Sequence, residues 1–355
     1  MPIFKDKVVV ITGGTGSLGK TLVRRLLSRK EDKPRKVIIF SRDEAKQHFM
    51  RVSYLHKAKA TDEVIYDNFR RILEFRIGDV RDYPSVRSLV AGADIVINAA
   101  ALKQVPSCEY FPYEAVRTNI GGAENVARAI KETGGHAHTA VAVSTDKACK
   151  PINVMGMTKS IQERVFISAN INSPSTRFIC VRYGNVLASR GSVIPLFHSQ
   201  IESGGPVTVT TAAMTRFLLP LEGAVDTIME ALGGALPGEI YVPRIPSALV
   251  MNIAKAMVGD SGLEIKVTGI RPGEKEHEIM ISVEEAINSE KRGDYYVIRP
   301  MLPELDSGQK SNPHLSAEYS SGDDVLSLDA TLQLLEKHQL MVGQRGLSAE
   351  EELLA

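Results

Sequence analysis

Cysteine is scarce: Cys108, Cys149 and Cys180 are the only three, and no two form a C-x-x-C pair. An odd, unpaired set argues against a disulfide framework and suits a reducing compartment, so a cytoplasmic protein is expected. An excess of one charge is also lacking. Lys and Arg number 43 against 42 Asp and Glu, which leaves no global field for nucleic acid or a membrane surface. No apolar run approaches the ~20 residues of a membrane span. Lys5, Asp6 and Lys7 precede only a short apolar run, so the N-terminal stretch reads as a first strand rather than a signal peptide. His136 and His138 are two apart but lie in a Gly-rich connection with no carboxylate or cysteine close by, and no metal site is expected. Internal repeats are absent.

What the chain does have is room and rhythm. Its 355 residues exceed one average domain. The runs Val8–Ile11, Val37–Phe40, Leu73–Ile77, Ile95–Asn98 and Ala140–Ser144 read as buried strands. Thr21–Arg29, Glu44–His56, Glu114–Glu132 and Val154–Ala169 read as helices. Strand–helix alternation with continuous apolar strands predicts an α/β fold, a Rossmann-type doubly wound parallel sheet. Ala58–Arg71 breaks the alternation as an insertion. After Tyr183, Gly191, Pro195, Gly204, Gly205 and Pro206 punctuate shorter pieces, which suggests a smaller lobe closing over a ligand. The expected division is a dinucleotide-binding domain at 1–185 with 217–243 returning to it, a substrate lobe at 186–216 and 244–300, and a surface extension at 301–355.

Directly after the first strand stands TGGTGSLGK, with Gly13, Gly16 and Gly19 in G-x-x-G-x-x-G spacing. Such glycines permit a tight turn, close approach of a pyrophosphate and tight packing of the following helix. The same stretch, Gly14 to Thr21, satisfies the P-loop pattern. A P-loop enzyme needs a later strand ending in a magnesium-holding Asp, whereas Ala93–Asn98 runs into Ala99 and Ala100. At the end of the second strand, Ser41 and Arg42 favour a 2′-phosphate, hence NADP over NAD. Asp79 and Val80 follow the third strand and stand either beside the adenine or at a helix N-cap.

Together with IFSRDE, GDVRD, NAAALKQVP, TNIGGAENV, STDKACKPINVMGMTK, RYGNVLASRGSVIP, MTRF and RPGEK, this loop resembles an extended short-chain dehydrogenase/reductase. Within that superfamily the chain resembles the soluble UDP-N-acetylglucosamine 4,6-dehydratases of bacterial surface-glycan pathways. The stretches run in family order from residue 12 to 275, and the glycine loop is the least specific of them. Met155 stands where the superfamily carries its acid/base tyrosine, four residues before Lys159. A thioether cannot exchange a proton at neutral pH. A capsule-type branch of the family also has methionine there, so Met155 marks a branch rather than a dead enzyme.

The resemblance implies tightly bound NADP, UDP-GlcNAc as substrate and a homo-oligomer, hexamer or dimer. It adds Thr15, Ser17, Leu18, Ala99, Ala100, Asn119 and Lys159 to the cofactor site. Lys103 reaches the same edge, either as a contact to cofactor or substrate or as a loop cap. Dehydration needs a base for C5–H and an acid for the C6 hydroxyl. Lys147 is assigned as the base, its pKa expected to fall through desolvation. Asp146 is assigned as the acid, with Thr145 orienting it or the C4 hydroxyl, and Met155 excluding water. Tyr183, Asn185, Arg190, Ser192, Thr215, Arg216, Arg271 and Glu274 are expected around the UDP-sugar, the arginines on the diphosphate. Two alternatives stand beside this reading: a UDP-hexose 4-epimerase and a non-catalytic NADP-binding regulator.

Overall fold

The computed structural model describes residues 2–56, 63–134, 136–187, 192–305 and 315–343. Seven strands form its parallel centre: β1 (Val8–Thr12), β2 (Lys36–Ser41), β3 (Leu73–Ile77), β4 (Ile95–Asn98), β5 (Thr139–Thr145), β6 (Arg177–Tyr183) and β7 (Ile240–Pro243). A hairpin of β8 (Ser289–Arg292) and β9 (Tyr295–Ile298) extends the sheet, β9 pairing antiparallel to β7. The strands lie in the order β8-β9-β7-β6-β5-β4-β1-β2-β3. The run β3-β2-β1-β4-β5-β6 is the doubly wound dinucleotide order, and its direction reverses between β1 and β4, where ligands bind beyond the strand ends. That order decides against the P-loop reading.

Alternate residues of each central strand face opposite layers. Val8, Val10, Phe40 and Val96 pack with Val126, Ile130 and Phe166 on one side. Val9, Ile11, Ile39 and Ile97 pack with Leu22, Leu26, Val225 and Ile228 on the other. Both faces are covered, which is why the strands are apolar throughout.

Several boundaries differ from those expected. The first helix, Ser17–Leu27, begins before Thr21 because Gly16 is its N-cap. The stretch expected as one helix over Glu114–Glu132 is broken by a π-turn, Val116–Gly121, between Pro112–Ala115 and Gly122–Glu132. Within the expected insertion, Glu63–Ile72 is a helix whose Phe69 stacks on Tyr54 at 5.2 Å between ring centroids; residues 58–62 lie outside the described residues. β8 and β9 join the central sheet rather than the smaller lobe, because Tyr296, Val297 and Ile298 complete the core beyond β7.

The lobe has its own core around Ile194, Phe197, Met214 and Ile253. The C-terminal segment belongs to it and is not a mere surface extension. Val325–Leu326 pairs with Ser247–Leu249, and Tyr319–Ser320 with Ile279–Ile281. The helix Leu328–Lys337 buries Leu335 in the lobe core. Residues 306–314 and 344–355 lie outside the described residues.

Candidate active site

The turn after β1 rests directly on the chain leaving β4. Gly13 has φ +66°, and a Cβ there would lie 2.8 Å from the Ala100 Cα. A Cβ at Gly19 would lie 2.5 Å from Gly14, so the helix can approach the loop only without a side chain. At Gly16 a Cβ would meet only the Gly13 carbonyl, at 3.4 Å. No side chain caps this helix, so the first-turn N–H groups, from Ser17 and Leu18 onward, are available to an anion. Thr15 Oγ1 lies 3.0 Å from Ser41 Oγ and ties the turn to the end of β2. This cradle fits a nicotinamide dinucleotide, whose diphosphate the turn would take.

Arg42 is exposed beside it, 3.8 Å from the Asp79 carboxylate. Asp79 is not the helix N-cap; Asp82 is, accepting from the Ser85 N–H. The carboxylate of Asp79 is instead held by Arg81 at 2.6 Å. Burial raises its pKa, but the hydrogen bonds and charge of Arg81, helped by Arg42, bring it below the ordinary value. Val80 is buried beneath Gly122. Asn119, expected at the cofactor, is fully buried and spends its side chain on protein: Nδ2 donates to Leu102 O and Thr158 Oγ1, and Oδ1 accepts from the Leu102 N–H. It clasps the segment after β4 to the helix Val154–Ala169.

β5 ends in Thr145, and a single turn, Asp146–Ala148, follows. Thr145 Oγ1 donates to Asp146 Oδ1 at 2.7 Å. Lys147 Nζ lies 3.1 Å from Asp146 Oδ1 and 2.9 Å from Glu278 Oε1. Arg216 Nε is 3.9 Å from the same Glu278 oxygen. Asp146 Oδ2 and Glu278 Oε2 are buried and have no partner among the described residues. Burial, reinforced by the charge of Glu278, raises the pKa of Asp146 against the opposing pull of Lys147 and Thr145. Burial raises Glu278 too, but Lys147 and Arg216 outweigh it and bring that pKa down.

Lys147 reverses the expectation. Burial lowers its pKa, but the carboxylates of Asp146 and Glu278 outweigh burial and raise it. Lys159 has a depressed pKa, brought to about 8 by burial against the opposing charges of Glu163 and Cys180, and burial lowers Lys275 as well. Lys159 Nζ donates to Val143 O and, at 2.6 Å, to Gln162 Oε1.

Met155 is buried with Cys108 and Ala115, and Leu102 and Val105 pack against them. Asn153 caps its helix by accepting from the Gly156 N–H at 2.8 Å. A Cβ at Gly156 would fall 2.2 Å from Lys147 O; glycine there lets the helix press against the Asp146–Ala148 turn.

On the substrate side the expected residues separate. Asn185 Oδ1 and Ser192 Oγ are buried without a partner among the described residues. They flank residues 188–191, and Arg190 lies outside the described residues. Tyr183 is a core residue, its pKa raised by burial. Thr215 Oγ1 is engaged by His277 Nδ1 at 2.8 Å and Ser321 Oγ at 2.7 Å. Arg216 donates to the carbonyls of Thr215 and Glu276 beside Glu278. Its fork is therefore turned into the acid–base cluster rather than held free for a diphosphate. Arg271 and Lys103 are exposed. Glu274 accepts from Thr210 Oγ1 at 3.4 Å.

Two residues escaped the sequence reading. Glu278 sits in the charged run Glu274–Glu278, which looks solvated; its one signal is the apolar Ile279-Met280-Ile281 that follows. Arg182 is fully buried between Glu163 and Glu285, an arrangement with no local signal.

A doubly wound sheet, a glycine cradle at its switch point and a Thr-Asp-Lys tip facing an M-x-x-x-K helix define an extended short-chain dehydrogenase/reductase. The chain matches a protein family described as "Polysaccharide biosynthesis protein" over residues 9–300 and belongs to it. It is 43% identical over 301 residues to a UDP-glucose 4-epimerase of Rickettsia conorii, covering 83% of this chain and 84% of that one. Among solved structures it is similar to Pen from Bacillus thuringiensis, with TM-score 0.83, 33% identity and coverage of 95% and 99% of the two chains. It shares its fold with the dTDP-glucose 4,6-dehydratase DesIV from Streptomyces venezuelae with NAD and TYD bound, with TM-score 0.61, 19% identity and coverage of 76% and 86%.

Proposed function

We propose that the chain is a UDP-N-acetylglucosamine 4,6-dehydratase that forms a UDP-4-keto-6-deoxy-N-acetylhexosamine, with or without inversion at C5, for a bacterial surface glycan. The observation that carries this is the pairing of Asp146 and Lys147 at the tip of β5, opposite a helix with Met155 at the hydroxyl position. Epimerisation at C4 requires one proton acceptor for the 4-hydroxyl. Dehydration additionally requires a base at C5 and an acid at C6, and the cluster holds both kinds of group.

We take the dinucleotide to be NADP, held by Gly13, Thr15, Gly16, Ser41 and Arg42; when bound it supplies the hydride acceptor and donor. Lys147 removes the C5 proton, which the C4 ketone acidifies. Asp146, its pKa raised, gives a proton to the departing C6 hydroxyl. Thr145 fixes Asp146 through their hydrogen bond. Met155 and its apolar neighbours keep water from the sugar. Lys159 faces the nicotinamide ribose, and Asn185, Arg190, Ser192, Arg271 and Glu274 take the UDP-sugar in a homo-oligomeric cytoplasmic enzyme.

The Rickettsia relatives favour a second reading, 4-epimerisation of a UDP-hexose. One experiment separates the two. Purified protein is incubated with UDP-GlcNAc in D2O and the products are followed by NMR. Loss of the C6 hydroxyl with deuterium at C5 is expected, and the ring couplings report the C5 configuration. A C4 epimer that keeps its C6 hydroxyl would establish the second reading. No reaction with any UDP-hexose would leave the non-catalytic regulator.

A further inference from the structure

We propose that Lys159 takes the proton of the sugar's 4-hydroxyl, the task Met155 cannot perform, and that Gln162 is the positioning residue that holds it ready with a neutral acceptor. This rests on the proposed function and deepens it: the hydride step at C4 needs such an acceptor in a dehydratase and in an epimerase alike.

Met155 and Lys159 are both buried, one turn apart on one helix face. Other polar groups near Met155 are committed. Thr158 Oγ1 donates to Met155 O and accepts from Asn119 Nδ2. Thr145 Oγ1 donates to Asp146, and two carboxylates hold Lys147 as an ammonium. Lys159 Nζ is placed differently. Its acceptors are Val143 O and Gln162 Oε1, both neutral, and among the described residues no carboxylate lies within ion-pair distance of it. Glu163 on the same helix is spent elsewhere: Oε1 accepts from Ser144 Oγ and Arg182 Nε, and Oε2 from Arg182 Nη2. Cys180 on β6 is a thiol that burial keeps neutral. On the other elements packed against the helix, Asp146 pairs with Lys147, Cys108 is buried, Glu109 accepts from the Val154 N–H, and Glu114 pairs with Arg81 and Arg117. The charged side chains of Gly122–Glu132 are exposed. Burial therefore prevails at Lys159, whose pKa of about 8 leaves part of it a neutral amine near neutral pH.

Gln162 is fully buried. Its Nε2 donates to Val143 O at 3.1 Å while its Oε1 accepts from Lys159 Nζ at 2.6 Å. Lysine, amide and carbonyl thus close a triangle that fixes where Nζ stands. A neutral amine has two N–H bonds and one lone pair. Val143 O and Gln162 Oε1 take the two N–H bonds, and the lone pair is left for an incoming O–H.

The O–H bond of the 4-hydroxyl breaks and an N–H bond forms on Lys159, turning amine to ammonium. The O–H electron pair becomes the second C4–O bond. The C4–H bond breaks and its pair leaves as hydride for a nicotinamide dinucleotide, so C4 is oxidised and the nicotinamide reduced. Over a dehydration turnover this proton replaces the one that Asp146 gives to the departing C6 hydroxyl.

The test follows kcat/KM for UDP-GlcNAc against pH in the full-length protein with its dinucleotide. In the wild type it is expected to climb about tenfold per pH unit and level off near the Lys159 pKa. Gln162→Glu puts a carboxylate against Nζ and favours the ammonium. Its rising limb is expected to move up by at least about one pH unit, with kcat/KM about tenfold lower at neutral pH and regained at alkaline pH, while NADPH affinity stays within about threefold. Gln162→Met removes an acceptor of the ammonium, and its limb is expected to move down. An equal loss at every pH, or a limb that stays in place in both variants, overturns the proposal. A second readout needs no turnover: the Cε resonance of Lys159, assigned through Lys159→Met, is followed against pH by carbon NMR. The wild type is expected to titrate below the ordinary lysine range, and Gln162→Glu above the wild type. An ordinary wild-type titration overturns the proposal even if neither variant folds. A C4 epimer formed with the limb and its shifts intact strikes the dehydratase reading alone, and a protein that converts no UDP-hexose overturns both.

Discussion

The guanidinium of Arg182 donates to both carboxylate oxygens of Glu285, at 2.7 and 2.9 Å. It also grips both oxygens of Glu163 on the Val154–Ala169 helix, at 3.0 and 2.6 Å. Burial opposes this arginine's charge, but the two glutamates outweigh it and raise its pKa. The clamp ties β6, the helix bearing Met155 and Lys159, and the capping-box turn at Ser282 into one unit. Arg182→Met leaves two buried carboxylates uncompensated and is predicted to cost about 3–5 kcal/mol. Arg182→Lys cannot reproduce the bidentate fork and should also destabilise. Urea unfolding measures both, and a loss below ~1 kcal/mol in either variant would count against the clamp.

Gly13→Ala places a methyl 2.8 Å from backbone at Ala100 in a left-handed turn. The sheet should persist, because the strain is confined to one turn, while dinucleotide affinity drops at least about tenfold. Titration with NADPH, read by its fluorescence, checks this beside a circular dichroism spectrum.

Arg42 is exposed and only 3.8 Å from Asp79, so its guanidinium is free to swing toward a 2′-phosphate. Arg42→Asp is predicted to reverse the preference between NADP and NAD, because a carboxylate repels the phosphate and suits the ribose hydroxyls. Calorimetry with both dinucleotides reads the ratio; an unchanged ratio removes Arg42 as the discriminator.

Met155→Leu preserves an apolar volume in the cluster of Cys108 and Ala115. It should change stability by less than about 1.5 kcal/mol and leave kcat within about threefold. A loss of orders of magnitude would assign Met155 more than packing.

Lys159 binds its proton less tightly folded, at a pKa of about 8, than unfolded, where an ordinary lysine titrates near ~10.4. Between those values the unfolded chain carries the extra proton, so this group makes stability rise with pH. Its penalty is greatest below the folded value and is removed as pH passes the unfolded one. Lys159→Met should flatten that slope. Paired urea melts from neutral to alkaline pH give the difference, and parallel curves would contradict it.

The sequence by itself determined what depends on neighbours in the chain. Apolar runs such as Val8–Thr12 and Ile95–Asn98 announced the parallel sheet, because a strand covered on both faces must be apolar throughout. Gly13, Gly16 and Gly19 marked the cradle by their spacing. Asp146 and Lys147 are adjacent, and Met155 and Lys159 are one helical turn apart, so their grouping was legible before any packing was known. Tertiary structure alone decided what depends on distance through space. It brought Glu278 to Lys147, which reversed the expected direction of the Lys147 pKa, while burial depressed Lys159 and Lys275. It buried Arg182 between glutamates from two other segments and turned Arg216 inward. It also folded the polar C-terminal stretch into the lobe through Leu335. A charge in a sequence has a sign but no surroundings, and its energy in a protein is set by burial and by the few ångströms to its nearest partners.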